Sequence, residues 1–388
     1  MRLHILPAQL SAALDVASKA TAKRTTIPVL ERVLLEATPD GGLKVRGTDL
    51  QRSAWHTVSA RVDQAGSVAL PPKPLTEFIA SVSPDDGIEI TVDSKHKAVL
   101  TSGRTVFKLS GLDPEEFPAM PAFDDPLADF TMAADVFARL VGNVAHAFLG
   151  DESRPALAGI LLTTVGGALQ LVTADGFRLA ASLEPIPDLP DLSIIVQGRG
   201  LSEAARVFGG ATSVRVLVDQ QQSQLLIDSE CGSWAVRLIE GQYPDWNRIV
   251  PKTEAITNVV TVGRAEAVRV SKLIRSLSVE TTDTDGKGKT RTVMARLTVS
   301  PGEMTVTARD STYDHEATAV IAAELSRGDG IGITFNGKYL LDALEAIDSA
   351  RVTFEFTAPQ SPTIVRPATD DSGHLCVLMP MHDARVKA

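Results

Sequence analysis

The sequence has little of several features that would narrow its function at once. Only two of its 388 residues are cysteines, Cys231 and Cys376, which excludes a disulfide framework and a cysteine-rich zinc site and is typical of the reducing cytoplasm. Aromatic residues make up 5%, too few for rows of base-stacking platforms along single-stranded nucleic acid. No apolar run reaches about 18 residues, so we predict no membrane span.

Motifs for common chemistry are also missing. The sequence contains no dinucleotide-binding glycine fingerprint, no P-loop, no His-Glu-x-x-His and no Gly-x-Ser-x-Gly, and its seven histidines lack metal-site spacing. We therefore predict no catalytic residue, no metal and no cofactor. Acidic residues outnumber basic ones by 48 to 38, for a net charge of −10, which argues against a broad basic surface but leaves room for a local basic stripe.

What the sequence does contain is an internal repeat. Three segments begin at an arginine, form two alternating strands around a glycine-bearing turn and end at an aspartate suited to turn capping: Arg24 to Asp49, Arg154 to Asp175 and Arg291 to Asp310. A helix precedes each hairpin, and a strand, a second helix and further strands follow. We predict three repeats, each βαβββ twice, with boundaries at 1–123, 124–251 and 252–388 and a polar loop over 280–290.

The first helix of each repeat has an apolar face and a basic one. The spacing predicts these buried faces: Leu10, Leu14 and Ala17; Val136, Leu140 and Val144; Val270, Leu273 and Leu277. Each basic residue on the polar faces and near the helix ends is by itself better explained as solvated surface. Their recurrence on equivalent helices favours a shared basic lining, which would contact phosphates without reading bases. The candidate DNA-facing residues are Lys19, Lys23, Arg24, Lys73, Arg139, Arg154, Arg199, Arg206, Arg269, Lys272, Arg275 and Lys338.

Ordered motifs across the three repeats carry a resemblance. They include Ile27-Pro-Val-Leu30, Arg154-Pro-Ala-Leu157, Asp175-Gly-Phe-Arg-Leu179, Tyr243-Pro-Asp245 and Met379-Pro-Met381. Over nearly its whole length the chain resembles the bacterial sliding clamps, the beta subunits of DNA polymerase III. The resemblance implies an α+β fold of three similar clamp domains and a head-to-tail homodimeric ring, with helices inside and sheets outside, around duplex DNA in the cytoplasm. The implied partners are the replicative polymerase alpha subunit, the clamp loader and other proteins that carry a clamp-binding motif.

The same resemblance implies two sites. A partner-peptide pocket would contain Leu157, Ala174, Gly176, Phe177, Arg178, Leu179, Pro244, Arg248, Ile249, Val377, Met379, Pro380 and Met381, with the two arginines at its rim. A dimer interface would contain Lys73, Phe107, Leu109, Leu273 and Ile274.

Two departures from the family pattern leave alternatives open. Ala174 and Phe177 make the pocket more apolar than is usual, and the chain continues past His382 with the tail 383–388. These features keep a specialised or phage-type clamp paralogue, with an altered partner pocket, as an alternative. A three-repeat peptide-binding scaffold that never closes into a ring is a further one.

Overall fold

The computed structural model describes residues 1–150, 153–277, 280–282, 288–290, 293–310, 315–369 and 373–382. The predicted tail 383–388 lies outside these residues. Helices and strands follow the order that the repeat predicts, with one helix in each βαβββ half, which confirms the α+β class and the internal repeat. The helices are α1 (Pro7–Ala17), α2 (Pro72–Ser81), α3 (Ala134–Val144), α4 (Gly198–Phe208), α5 (Arg264–Ser276) and α6 (Gly337–Ala346).

The strands are short and follow one another closely. The first repeat contains β1 (Arg2–Ile5), β2 (Val33–Ala37), β3 (Gly42–Thr48), β4 (Arg52–Ser59), β5 (Arg61–Gln64), β6 (Gly66–Leu70), β7 (Ile88–Val92), β8 (Lys97–Ser102) and β9 (Thr105–Ser110). The second contains β10 (Ala128–Ala133), β11 (Gly159–Val165), β12 (Ala168–Ala174), β13 (Arg178–Pro185), β14 (Ser193–Gln197), β15 (Ser213–Val218), β16 (Gln224–Ser229) and β17 (Gly232–Arg237). The third contains β18 (Asn258–Gly263), β19 (Glu280–Thr282), β20 (Gly288–Thr290), β21 (Met294–Ser300), β22 (Gly302–Asp310), β23 (His315–Arg327), β24 (Ile331–Asn336), β25 (Arg351–Phe356), β26 (Thr363–Pro367) and β27 (Leu375–Leu378).

The chain divides into two compact units. Unit 1 contains residues 1–138 and 199–239, and unit 2 contains residues 139–198 and 240–388. Unit 1 has a five-stranded sheet, β5-β1-β7-β8-β9, and an eight-stranded sheet, β10-β15-β16-β17-β4-β3-β2-β6. Unit 2 has a twelve-stranded sheet, β14-β11-β12-β13-β27-β26-β25-β18-β23-β22-β21-β24. Antiparallel pairing of β17 with β4 therefore joins the second repeat to the first, and pairing of β13 with β27 joins it to the third.

The interior of each unit is apolar and densely filled. Along β10 the side chains alternate, with Ala128, Phe130 and Met132 buried and the residues between them exposed. The few aromatic residues are concentrated in the core, where Trp234 and Phe335 are fully buried. Because each aromatic side chain buries a large apolar area, a small number of them is enough to stabilise these sheets.

Two sequence predictions about local structure are wrong. On α5 the buried face consists of Ala267, Val270, Ser271 and Ile274, whereas Leu273 is 52% exposed. α5 packs against α6 and against the sheet strands β18, β22, β23 and β25, and this packing buries the stripe that leaves out Leu273. The predicted polar loop over 280–290 has paired ends, β19 with β20, because its threonine-rich sequence favours extended backbone; residues 283–287 lie outside the described chain.

Candidate peptide-binding and DNA-facing sites

A turn with one bonding pattern ends the hairpin in each of the first two repeats. The carboxylate of Asp175 accepts hydrogen bonds from the backbone N–H groups two and three residues later, at 2.9 and 3.0 Å, and from Nε of Arg178 at 2.9 Å. The carboxylate of Asp49 accepts the same three bonds, with Arg52 in the place of Arg178. The turn-capping role predicted for these two aspartates is confirmed. The turn after Asp310 lies outside the described residues.

Each arginine then reaches an acidic side chain on a helix of the next repeat. Nη1 of Arg178 donates to Oδ2 of Asp342 on α6 at 2.6 Å, and Nη1 of Arg52 donates to Glu203 on α4. Nζ of Lys338, one turn earlier on α6, donates to the same Oδ2 of Asp342 at 2.8 Å. Burial alone would raise the pKa of Asp342, but the hydrogen bonds from Lys338 and Arg178 outweigh burial and leave that pKa below its usual value.

Arg178 is buried, not at the rim of the peptide site as predicted. Its guanidinium lies 4.2 Å from the centre of the Tyr339 ring, between two carboxylates that neutralise its charge, so it needs no contact with water. The side chain of Asn336 caps α6 by accepting from the backbone N–H of Lys338 (2.9 Å) and of Tyr339 (3.3 Å), which orients this helix end.

Sequence reasoning missed Tyr339 and Asp342. A signal for the acidic residue was present in the repeat itself, because Leu201-Ser-Glu203 on α4 corresponds to Leu340-Leu-Asp342 on α6. Nothing in the sequence alone indicated Tyr339.

The C-terminal segment lies along the same turn. In the pairing of β13 with β27, Leu179 is opposite Val377, and the N–H of Met379 then donates to the carbonyl of Phe177 at 2.9 Å. The N–H of Met381 donates to the carbonyl of Thr334 in β24 at 2.7 Å. Phe177 is 61% exposed and the two methionines are 37% exposed each, whereas Leu157, Ala174, Leu179 and Val377 are buried. At this turn, exposed apolar side chains (Phe177, Met379 and Met381) therefore accompany buried apolar ones.

The linker that follows β17 contributes the remaining predicted pocket residues. The hydroxyl of Tyr243 lies beside the backbone of Ala174, and burial raises the pKa of this phenol. Pro244, Arg248 and Ile249 follow it and are all exposed, with Nε of Arg248 paired to Asp245 at 2.7 Å. Of the two predicted rim arginines, only Arg248 lies at the surface.

Gly176 and Arg154 meet at this turn. Gly176 has a φ of +92°, a conformation that side chains rarely adopt, and a Cβ placed on it would lie 3.2 Å from the guanidinium nitrogens of Arg154. Nη2 of Arg154 also donates to the carbonyl of Asp175 at 3.1 Å. Arg154, predicted to face DNA, therefore lies next to the candidate peptide site.

The other candidate DNA-facing residues are exposed, apart from the half-buried Arg139. Five of the cations have an acidic neighbour: Lys73 with Glu77, Arg139 with Glu184, Arg269 with Glu266, Lys272 with Glu345 and Lys338 with Asp342. Six make no ion pair with any described residue: Lys19, Lys23, Arg24, Arg199, Arg206 and Arg275. These six cations, which no described carboxylate neutralises, are available to bind an external anion such as a phosphate.

The residues predicted to form the dimer interface are divided between the two units. In unit 1, Phe107 and Leu109 lie on β9, an edge strand, and the Phe107 ring stacks on Phe78 with 5.6 Å between ring centres. In unit 2, Leu273 is exposed on α5, but Ile274 is 1% exposed, and a Cβ added to Gly337 at the start of α6 would lie 3.3 Å from its Cγ2. Of Leu273 and Ile274, only Leu273 has a side chain that is accessible to a partner subunit.

Comparison with known families decides the identity. The family described as "DNA polymerase III beta subunit, N-terminal domain" matches residues 1–121, the central-domain family matches 131–245 and the C-terminal-domain family matches 260–382. The chain belongs to the bacterial sliding clamp family. The resemblance drawn from the sequence motifs is thereby confirmed, as is the fold of three similar clamp domains.

Relatives of this clamp family match along the whole chain. The beta sliding clamp of Caulobacter vibrioides is 30% identical over 395 residues, covering 98% of this chain and 100% of that protein. The beta sliding clamp of Bacillus subtilis is 27% identical over 369 residues, covering 91% and 92%. The crystal structure of the DNA polymerase III subunit beta from Pseudomonas aeruginosa superposes with a TM-score of 0.86 at 27% identity, covering 99% of this chain and 100% of that one.

The described part of the clamp contains neither a candidate metal site nor a candidate membrane span. Among the described residues, no three or more His, Cys, Asp or Glu side chains are grouped so that they would hold a metal ion. No helix in the described part of the chain is long and apolar enough to cross a membrane.

Proposed function

We propose that two copies of this chain form a head-to-tail homodimer that closes into a six-domain ring around duplex DNA. The domains would be residues 1–123, 124–251 and 252–388, with helices lining the ring and sheets outside. The ring would tether the replicative polymerase in the cytoplasm and would act by topology, without catalysis or a cofactor. The observation that carries this proposal is the clamp-family match over all three repeats.

Exposed strand edges support closure by a second copy. β9 ends the five-stranded sheet of unit 1, and in unit 2 residues 315–322 of β23 pair with β22 on one side and with no described strand on the other. Unpaired edges invite pairing with another chain, and a head-to-tail contact that rotates correctly closes into a ring. Phe107 and Leu109 on β9 would meet Leu273 on α5, a helix that packs against β23, of the partner copy, with Lys73 nearby and the buried Ile274 next to Leu273.

The charge distribution supports sequence-independent DNA binding. Although the chain carries a net charge of −10, six exposed cations of the candidate DNA-facing set have no ion-pair partner among the described residues. Such cations would bind phosphates and release counterions, which makes affinity fall steeply with salt but independent of base sequence. This behaviour suits a clamp that must slide.

The apolar surface around Phe177 supports peptide binding. Phe177, Ile249, Met379 and Met381 are exposed large apolar side chains, and methionine adapts to ligands of varied shape. We propose that this surface binds a short apolar segment of the polymerase alpha subunit, of the clamp loader and of other proteins with a clamp-binding motif. The buried Arg178 would fix the turn that carries Phe177 through its bond to the carboxylate of Asp175.

A topological experiment tests the proposal. The protein is loaded with its clamp loader onto a nicked circular duplex, and the complex is isolated by gel filtration. Protein that stays on the circle and is released when a restriction enzyme cuts the DNA would be held as a ring. Protein that stays on the linear DNA, or that never stays on the circle, would contradict the proposal.

A specialised or phage-type paralogue is the second candidate, because Phe177, noted above as a departure from the family pattern, is 61% exposed on the proposed peptide site. Competition between polymerase-derived peptides and peptides from other clamp-binding proteins separates the two. A clamp for the replicative polymerase should prefer the polymerase peptide, whereas a specialised copy should reject it.

A further inference from the structure

One carboxylate oxygen connects the two candidate sites in unit 2. Oδ2 of Asp342 accepts from Nη1 of Arg178 at 2.6 Å and from Nζ of Lys338 at 2.8 Å. Arg178 holds the turn of the candidate peptide site, whereas Lys338 is a candidate DNA-facing residue with 57% of its side chain exposed. Because both cations use the same acceptor atom, a change in one bond alters the other.

We infer that Asp342 couples DNA binding to peptide binding. When a DNA phosphate draws Lys338 away, Asp342 interacts with Arg178 alone, and the peptide site binds its ligand more tightly. This inference rests on the proposed function, since it needs Lys338 to face DNA and the Phe177 surface to bind peptide.

The direction of the effect follows from what Arg178 holds in place. Its guanidinium also binds the carboxylate of Asp175, which fixes the turn that carries Phe177. The carbonyl of Phe177 in turn accepts the N–H of Met379, so the exposed surface depends on this turn. A more firmly held Arg178 leaves less of the surface to be ordered by the ligand, and a preordered site binds more strongly.

The other intrachain junction provides a matched control. Arg199 occupies on α4 the position that Lys338 occupies on α6, four residues before the acidic partner of the turn arginine. Arg199 makes no ion pair with Glu203, although Glu203 binds Arg52. Replacing Arg199 therefore removes one candidate phosphate contact without touching the bonds of the peptide site.

The test measures peptide affinity with and without DNA. A fluorescein-labelled peptide from the polymerase alpha subunit is titrated with the full-length protein at low salt, alone or with saturating short duplex whose binding is followed separately. We expect the duplex to lower the peptide Kd about threefold, the range of one partly exposed ion pair. The Lys338→Ala variant should start at the tighter Kd and show no response, whereas Arg199→Ala should respond as the wild type does.

The outcomes separate this coupling from the proposed function. If the duplex binds but leaves the peptide Kd unchanged, or if Lys338→Ala responds as fully as the wild type, the coupling is refuted and the clamp function stands. If neither duplex nor peptide binds the wild-type protein, both proposals are refuted. An Asp342→Asn variant, which removes the shared acceptor, should bind peptide more weakly and should also lose the response.

Discussion

The bonds of Arg178 should stabilise the junction between the second and third repeats by a measurable amount. Replacing Arg178 with methionine keeps a long apolar stem but leaves the carboxylates of Asp175 and Asp342 without their shared cation. The side chains of Arg178 and Asp342 are only 8% and 16% exposed. Removing one partner of such a buried pair costs about 3–5 kcal/mol. We expect about 3 kcal/mol, because Lys338 and backbone N–H groups still bind the two carboxylates.

Hydrogen–deuterium exchange measures this cost where it arises. A loss of about 3 kcal/mol corresponds to roughly a hundredfold faster exchange of backbone amides that exchange by opening of the junction. The amides to follow are those of β13 and β27, which pair with each other. The ligand-free wild-type protein is the reference.

The equivalent arginine of the first junction provides the control. Arg52 and Glu203 are 14% and 30% exposed, so Arg52→Met should cause a smaller change, confined to β4 and β17. If Arg178→Met left exchange in β13 and β27 unchanged, the stabilising role of the buried pair would be refuted. Equal acceleration at both junctions would indicate general destabilisation and would refute the local reasoning as well.

Four further predictions concern pH, assembly and binding. The pKa of Asp342 is held below its usual 3.8, so the ionised carboxylate should stabilise the fold above that pH, and this stabilisation should be lost as the pH falls through the lowered pKa. Urea unfolding at a series of pH values should show that an Asp342→Asn variant lacks this part of the loss. Leu273→Asp should give a monomer by light scattering, because the charge would be buried in an apolar contact, whereas Val165→Asp, at a similarly exposed residue (49%) on the β11–β12 hairpin, should stay dimeric. Removing residues 379–388 should abolish peptide binding and keep the dimer, and unchanged peptide affinity would refute the pocket assignment. Arg275→Ala should reduce the slope of log affinity for duplex DNA against log salt by about 0.9, whereas an unchanged slope would remove this residue from the DNA-facing set.

Much of the local structure is a direct consequence of the sequence. Alternation of apolar residues predicted the hairpins, and the repeated aspartate after each hairpin predicted the capped turns at Asp49 and Asp175. These features depend on neighbours a few residues apart, so the sequence contains the information they need. Family motifs supplied the pocket and interface residues, whose roles stay predictions.

Tertiary structure decided the contacts between distant segments. The periodicity of α5 allowed two buried faces, and packing against α6 and the sheet selected the one that leaves Leu273 exposed. Arg178 was expected at the rim, but Asp342, 164 residues away, and the ring of Tyr339 allow it to be buried. Whether a charged side chain can be buried depends on the groups that neutralise its charge. For Arg178 those groups belong to another repeat, so the spacing of residues along the chain does not reveal them.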